Sequence, residues 1–298
     1  MNSSKKADFI LSFITANLHI NSRVLPTVGL FIFTLLFMGL IFFHNSAKIY
    51  VILYLRRYAM KVLVIAIHID DAECITGTIA QLIEKGAEVT YLNLKHYQHY
   101  KGNNPEVDAQ STRGAELIGA KKIILDYNYH RYYMNNEKSY LETEAVIREI
   151  KPDIIFIQHP QDNHIEHVEC ARTARDAIFG AAVDGIVPNE VYSFETGPKQ
   201  TMCYFEPDLY IDIEDKVDDI KRVMKNFSAE HADGDRLWNE VRISKEFRGL
   251  ECGLKYADGF KIIKYPNGSN DFLLRSVLGD KFRWAGTRMY YIGSKLFL

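Results

Sequence analysis

Residues Lys61–Asp71 read KVLVIAIHIDD, an apolar run rich in β-branched residues that ends in one histidine and two aspartates. Such a run predicts a strand over Lys61–His68 that is buried on both faces, as the strands of parallel sheets are. In open α/β sheets, ligands bind beyond the carboxyl ends of the strands. The polar side chains of His68, Asp70 and Asp71 therefore stand where a functional site is expected.

Beyond this run, apolar strand-like segments alternate with segments of helical period. The other predicted strands are Glu88–Leu94, Lys122–Tyr127, Asp153–His159, Glu190–Phe194 and Leu209–Ile213. Predicted helices cover Tyr140–Ile150, Val168–Ala181 and Asp235–Tyr256, and another ends at Gly86. This alternation predicts an α/β fold with a Rossmann-like, mainly parallel sheet and helices on both faces.

The amino-terminal segment differs from the rest of the chain. Val24–Phe43 is an uncharged apolar run of about 20 residues, long enough to cross a bilayer as a helix. We predict a transmembrane helix at residues 24–43 within an N-terminal segment 1–59, followed by a catalytic domain at 60–298. A cleaved signal peptide is the alternative, although its apolar region is normally shorter. Met60 directly precedes the first strand, and a start of translation there would remove the anchor.

Charge and cysteine content limit the partners and the compartment. A formal net charge of -2 over 298 residues offers no basic surface for nucleic acid, so we expect no such partner. The four cysteines are widely spaced and include no Cys-x-x-Cys pair, which favours a reducing compartment. Lys and Arg residues are nearly balanced across the apolar run and leave the topology open. We expect a single-pass membrane protein, and we favour the cytoplasmic side for its catalytic domain.

A second polar segment, DNHIEH at residues 162–167, follows the fourth predicted strand. His164 and His167 are three residues apart at a helix start, so one can ligate a metal while the other reaches a substrate oxygen. Asp162 and Glu166 are candidates to orient these imidazoles. Alone, this segment is typical of a polar loop, and Asp71 of the first segment is typical of a helix N-cap. Together the two segments supply the ligands of a catalytic Zn²⁺ site.

The two segments, HIDDAE and DNHIEH, resemble the His-Pro-Asp-Asp loop and the Asp-x-His-x-Asp-His segment of the LmbE/PIG-L family of zinc-dependent N-acetylglucosaminyl deacetylases. The similarity extends to GTIA at Gly77–Ala80, AELIGA at Ala115–Ala120 and FRGLECGLKYADGF at Phe247–Phe260. The resemblance implies a Rossmann-like deacetylase domain that removes the N-acetyl group of an N-acetylglucosamine-containing glycoconjugate, either a small molecule or a lipid-linked one.

The resemblance also implies roles for individual residues. It implies zinc held by His68, Asp71 and His167. It implies Asp70 as the general base and His164 as the acid or oxyanion partner. An alternative is a non-catalytic metal- or sugar-binding regulatory protein of the same fold, and a receiver-type regulatory domain is a further one.

The chain departs from the family pattern at three places. Ile69 stands where the family has proline, and Glu166 stands where it has aspartate. Val107 occupies the register of a family arginine, which Arg113 is a candidate to replace. Arg248 is a candidate to contact the substrate or the rim of the sheet.

His96 and His99 repeat the His-x-x-His spacing after the second predicted strand. No carboxylate adjoins them in sequence to complete a metal site. We therefore predict that they belong to a solvated loop.

Overall fold

The computed structural model describes residues 59–99, 102–125, 133–197, 205–227, 234–266 and 271–286. From Lys61 onward, these residues belong to one compact unit, apart from Lys85–Ala87. The predicted membrane segment Val24–Phe43 lies outside the described residues and stays a prediction. Within the described ranges, no helix combines the length and the apolar character that a bilayer crossing needs.

An eight-stranded mixed sheet organises this unit. Its strands are β1 (Lys61–Ala66), β2 (Glu88–Asn93), β5 (Lys121–Ile124), β6 (Ile154–Gln158), β7 (Glu190–Phe194), β8 (Leu209–Asp212), β9 (Ala257–Lys264) and β10 (Phe282–Trp284). A separate hairpin pairs β3 (Gln98–His99) with β4 (Gly102–Asn103). The strand order in the large sheet is β10-β8-β9-β7-β6-β1-β2-β5.

Helices lie on both sides of this sheet. They are α1 (Thr76–Glu84), α2 (Pro105–Glu116), α3 (Glu137–Ile150), α4 (Ile165–Val183), α5 (Val217–Lys225), α6 (Gly234–Cys252) and α7 (Leu273–Leu278). A short 3-10 helix, Ala72–Ile75, connects the loop after β1 to α1. The interior strands are buried because helices cover them on both sides; every residue of β6 is buried, and so is β1 after its first residue.

The sheet is only partly parallel. The strands from β5 through β2, β1 and β6 to β7 run parallel, as the alternating sequence pattern predicts. Beyond β7, the strands β9, β8 and β10 pair antiparallel. The prediction of a mainly parallel sheet therefore holds for one half, and the fold is a mixed α/β sheet.

Strand β9 was not predicted. Its first residues lie within the segment FRGLECGLKYADGF, and a glycine such as Gly259 is unusual inside a strand. The structure gives this glycine a steric reason. A Cβ atom at position 259 would lie 2.8 Å from Cγ of Pro207 and 3.4 Å from Cδ of Arg248. A side chain would therefore displace Pro207 in the segment before β8.

The topology brings the two polar segments together. β1 and β6 are parallel neighbours, with Val62 opposite Ile154 and Ile65 opposite Ile157. Their carboxyl ends therefore lie at the same edge of the sheet. The loop after β1 carries the HIDD segment, and DNHIEH spans the end of the loop after β6 and the first residues of α4.

Candidate active site

Three donor atoms converge at this edge of the sheet. Nδ1 of His68 lies 3.1 Å from Oδ2 of Asp71 and 3.1 Å from Nε2 of His167. Oδ2 of Asp71 lies 3.4 Å from the same Nε2. Ligand atoms about 2.0–2.2 Å from a tetrahedral zinc ion are about 3.3–3.5 Å apart. The spacing of the three atoms therefore fits a zinc site.

The ring of His164 completes a group of three imidazoles. Its centroid lies 4.6 Å from that of His167 and 4.9 Å from that of His68. One nitrogen from each ring falls within 4.8 Å of the others, so these rings also form a possible metal group. Oδ2 of Asp71, at 3.1 Å from Nδ1 of His68 and 3.4 Å from Nε2 of His167, is the alternative third ligand to His164.

The backbone fixes one nitrogen of His164. This residue is the N-cap of α4, and its Nδ1 accepts a hydrogen bond from N–H of Glu166 at 3.3 Å. Burial, and then the neighbouring His167 and His68, lower the pKa of His164 below its ordinary value. A neutral ring whose Nδ1 accepts this bond carries its proton on Nε2. His164 can therefore donate a hydrogen bond to a substrate oxygen.

Asp71 is held by the loop after β1 and by the end of β6. Its Oδ2 accepts hydrogen bonds from N–H of His68 at 2.9 Å and from Nε2 of Gln158 at 2.8 Å. Although burial alone would raise the pKa of Asp71, His167 and His68 lower it well below its usual range. Gln158 also accepts a hydrogen bond from N–H of Ile67 at 2.9 Å. Gln158 was not predicted from the sequence. Its only sequence signal is its position as the polar last residue of an apolar strand.

Glu166 contacts the opposite edge of the His68 ring. Its Oε2 lies 2.9 Å from Nε2 of His68, and its Oε1 accepts from Nζ of Lys95 and N–H of Tyr133, each at 2.6 Å. Burial would raise the pKa of Glu166, but His68 and Lys95 lower it to about 2. Burial would likewise lower the pKa of His68, but Asp71 and Glu166 raise it to about 10. Lys95 was missed, although it follows β2 at the same edge of the sheet.

Asp162 and Thr196 hold the outer nitrogen of His167. Nδ1 of His167 lies 3.0 Å from Oδ2 of Asp162 and 3.0 Å from Oγ1 of Thr196. Oδ1 of Asp162 also accepts from N–H of His164 at 2.7 Å. With Nδ1 engaged, the Nε2 atom of His167 faces His68 and Asp71. The sequence singled out Asp162 but not Thr196, which follows β7.

Asp70 lies in the turn between His68 and Asp71. The residue is partly exposed, whereas Asp71 beside it is buried. Asp70 therefore adjoins Asp71 in the sequence and is partly accessible to solvent.

The structure does not bring every candidate arginine to the site. Arg113 forms an exposed ion pair with Glu106 on its own helix, at 2.7 Å, and Val107 is fully buried. Arg248 is 1 % exposed and binds both carboxylate oxygens of Glu195, at 2.8 and 2.7 Å. Of the two readings of Arg248, the structure supports the contact with the sheet rim.

His96 has a partner that its neighbours in sequence do not supply. Its Nδ1 lies 2.8 Å from Oδ2 of Asp108 in α2, so a carboxylate does lie beside it. The partner was missed because it lies 12 residues away in sequence. The side chain of His99 lies outside the described residues.

The fold and the three converging donor atoms define a candidate metal site of the kind that hydrolases use, beside an aspartate and a histidine. Residues 63–178 match the family described as PIG-L, GlcNAc-PI de-N-acetylase. The predicted resemblance is thereby confirmed for this part of the chain, which matches the PIG-L family. It contains both polar segments, and the family description names the enzyme class that the sequence predicts, an N-deacetylase.

Solved structures share the fold. A conserved protein from Thermus thermophilus has a TM-score of 0.60 at 18% identity, over 71% of this chain and 100% of its own. The 4-carboxy-2-hydroxymuconate hydratase from Pseudomonas putida has a TM-score of 0.59 at 20% identity, over 72% and 99%. The N,N'-diacetylchitobiose deacetylase from Pyrococcus horikoshii has a TM-score of 0.54 at 22% identity, over 69% and 84%. These similarities show a common fold.

Proposed function

We propose that this protein is a zinc-dependent N-deacetylase. It hydrolyses the N-acetyl group of an N-acetylglucosamine-containing glycoconjugate and releases acetate and a free amine. The observation that carries the proposal is the convergence of Nδ1 of His68, Oδ2 of Asp71 and Nε2 of His167 within a PIG-L family domain. The fold by itself does not select this reaction, because a hydratase shares it.

The donor set suits zinc. Two imidazoles and one carboxylate are typical ligands of catalytic zinc, and three protein ligands leave a position open. When bound, zinc supplies a Lewis acid that activates water and polarises a carbonyl group. His68, Asp71 and His167 would hold it, and Glu166 and Asp162 would keep the two rings in place.

The two residues beside this set have different roles. Asp70 accepts a proton from the attacking water and returns it to the nitrogen of the departing amine. Nε2 of His164 donates a hydrogen bond to the amide oxygen as negative charge develops there. This role follows from the bond that holds its Nδ1 to N–H of Glu166.

The membrane prediction bears on the substrate. An anchor at Val24–Phe43 would hold the catalytic domain close to a bilayer. That placement favours a lipid-linked amino sugar over a small soluble one, and we keep both in the test.

The test measures acetate released by the full chain from a panel of N-acetylglucosaminides. The panel contains free N-acetylglucosamine, its dimer, an inositol-linked form and a lipid-linked form. We expect release from at least one member, loss of release with a zinc chelator, and recovery when zinc is added back. No release from any member by zinc-loaded protein would favour a binding function. Release that the chelator leaves unchanged would contradict metal dependence.

A further inference from the structure

The backbone carbonyl of Ile69, one residue before the proposed base, accepts two hydrogen bonds from other elements. Nζ of Lys122 in β5 donates to it at 2.7 Å, and Oγ of Ser111 in α2 donates to it as well. The Lys122 side chain and Ser111 are both fully buried. A buried ammonium group is costly unless it is paired, so its partners need an explanation.

Glu73 is the charged partner of Lys122. Its Oε1 lies 2.6 Å from Nζ of Lys122, and neither side chain is exposed. Glu73 belongs to the 3-10 helix Ala72–Ile75, directly after Asp71. Lys122 therefore binds the loop on both sides of the two aspartates: at the carbonyl of Ile69 before them and at the carboxylate of Glu73 after them.

Stability alone does not account for this pair. Replacing a buried ion pair with apolar residues of similar volume is often neutral or stabilising, because desolvation offsets the attraction. A role in placing the loop gives a reason for it. Isoleucine at position 69 also leaves the φ angle of this loop residue adjustable, whereas a proline would fix it at about −65°.

The carbonyl of Ile69 and the N–H of Asp70 belong to one planar peptide group. Two donors on the oxygen restrict rotation of that plane, and the direction of the Asp70 side chain depends on it. We propose that Lys122 is a positioning residue for Asp70, which acts with Ser111 and Glu73 by holding the peptide between Ile69 and Asp70. Its catalytic consequence rests on the proposed function, whereas its effect on the loop does not.

The test compares Lys122→Met with Lys216→Met in the zinc-loaded full chain. Lys216 is a matched control, because its side chain is 10% exposed and pairs with Glu84 and Asp215. Hydrogen exchange in the peptide that covers residues 67–75 should be at least about 10-fold faster in Lys122→Met. kcat should fall by about 10- to 100-fold, as for a misplaced catalytic group. KM and zinc content should stay within about threefold.

Two further variants separate positioning from folding. Ser111→Ala removes one hydrogen bond to the same carbonyl without leaving a buried charge, and it should also give faster exchange in this loop. It therefore tests the inference even if Lys122→Met does not fold. Ile69→Pro fixes the φ angle of residue 69 covalently. Added to Lys122→Met, it should recover part of the lost kcat.

Faster exchange at the loop in Lys122→Met but not in Lys216→Met supports the inference. If the wild-type chain then hydrolyses no member of the substrate panel, the role in the loop stands and the proposed function fails. Exchange and kcat that match those of Lys216→Met would overturn the inference. The inference would also be overturned if zinc content and kcat of Lys122→Met fell in proportion to its lost stability and Ile69→Pro did not rescue kcat.

Discussion

Oε2 of Glu166 lies 2.9 Å from Nε2 of His68, while Nδ1 of the same ring faces Asp71 and His167. This contact gives the ring one nitrogen for a carboxylate and the other for a metal. Lys95 and N–H of Tyr133 both bind the second oxygen of Glu166. The longer side chain at position 166 is therefore accommodated with both of its oxygens in use.

From this arrangement we predict that Glu166→Gln and Lys95→Met weaken zinc binding by about 10- to 100-fold, the usual effect of removing an outer partner of a metal ligand. Competition with a chromogenic chelator measures the affinity. Lys216→Met, a buried lysine that pairs with Glu84, is the control and should keep the wild-type affinity. Equal affinities in all three variants would show that the network does not support the metal site.

The proposed base gives a second prediction. Asp70→Asn should retain zinc, because Asp70 is not one of the three converging residues. Its kcat should fall by about 10²- to 10⁴-fold, the contribution typical of a general base. Acetate release and zinc content are measured on the same preparation. Normal turnover would remove Asp70 from the mechanism, and loss of zinc would show that it supports the metal site instead.

The sequence predicted much of the fold because the strands carry a strong local signal. β1 and β6 are almost entirely apolar, and both were predicted, as were β2, β5, β7 and β8, with no end shifted by more than three residues. The antiparallel strands β9 and β10, which pair with β7 and β8, could not be predicted in this way. It depends on contacts between distant segments, such as Gly259 against Pro207.

The same reasoning explains which site residues were found. His68 and Asp71, and likewise Asp162 and His167, lie within short motifs whose spacing is visible in the sequence. Lys95, Gln158 and Thr196 follow or end three separate strands, β2, β6 and β7. Their approach to the site depends on the strand order β7-β6-β1-β2, which is set by tertiary packing and not by local pattern.

A third prediction concerns stability and pH. Burial raises the pKa of Asp153 above its ordinary value of 3.8, and this effect outweighs its hydrogen bond from N–H of Lys61 and the charge of Lys61. A carboxyl group with a raised pKa in the native state binds its proton more tightly there than in the unfolded chain. Its contribution to stability is therefore lost as pH rises from below 3.8 through the native pKa.

Asp153→Asn keeps an oxygen that can accept from Lys61 but has no charge to desolvate. We expect the variant to be more stable than the wild type near neutral pH. The gain should shrink as pH falls towards 3.8, where the wild-type carboxyl group becomes protonated. Urea unfolding at a series of pH values measures the difference. A variant that is less stable near neutrality would show that the ionised carboxylate is favourable at this position.

The last prediction separates the two readings of Arg248. Its guanidinium group binds both oxygens of Glu195 and also Oε2 of Glu251, at 2.7 Å, in the interior between α6 and the end of β7. Arg248→Met leaves Glu195 buried without this partner, which should cost about 3–5 kcal/mol of unfolding free energy. Urea denaturation measures the loss.

The double variant Arg248→Met with Glu195→Gln removes both charges and should recover much of that stability. A residue that contacts the substrate would behave differently, because its loss would raise KM while stability stayed close to that of the wild type. We expect the opposite pattern for Arg248→Met at temperatures where it remains folded. In that case its KM should stay near the wild-type value, since Arg248 stabilises the segment that leads to Thr196 rather than binding the sugar.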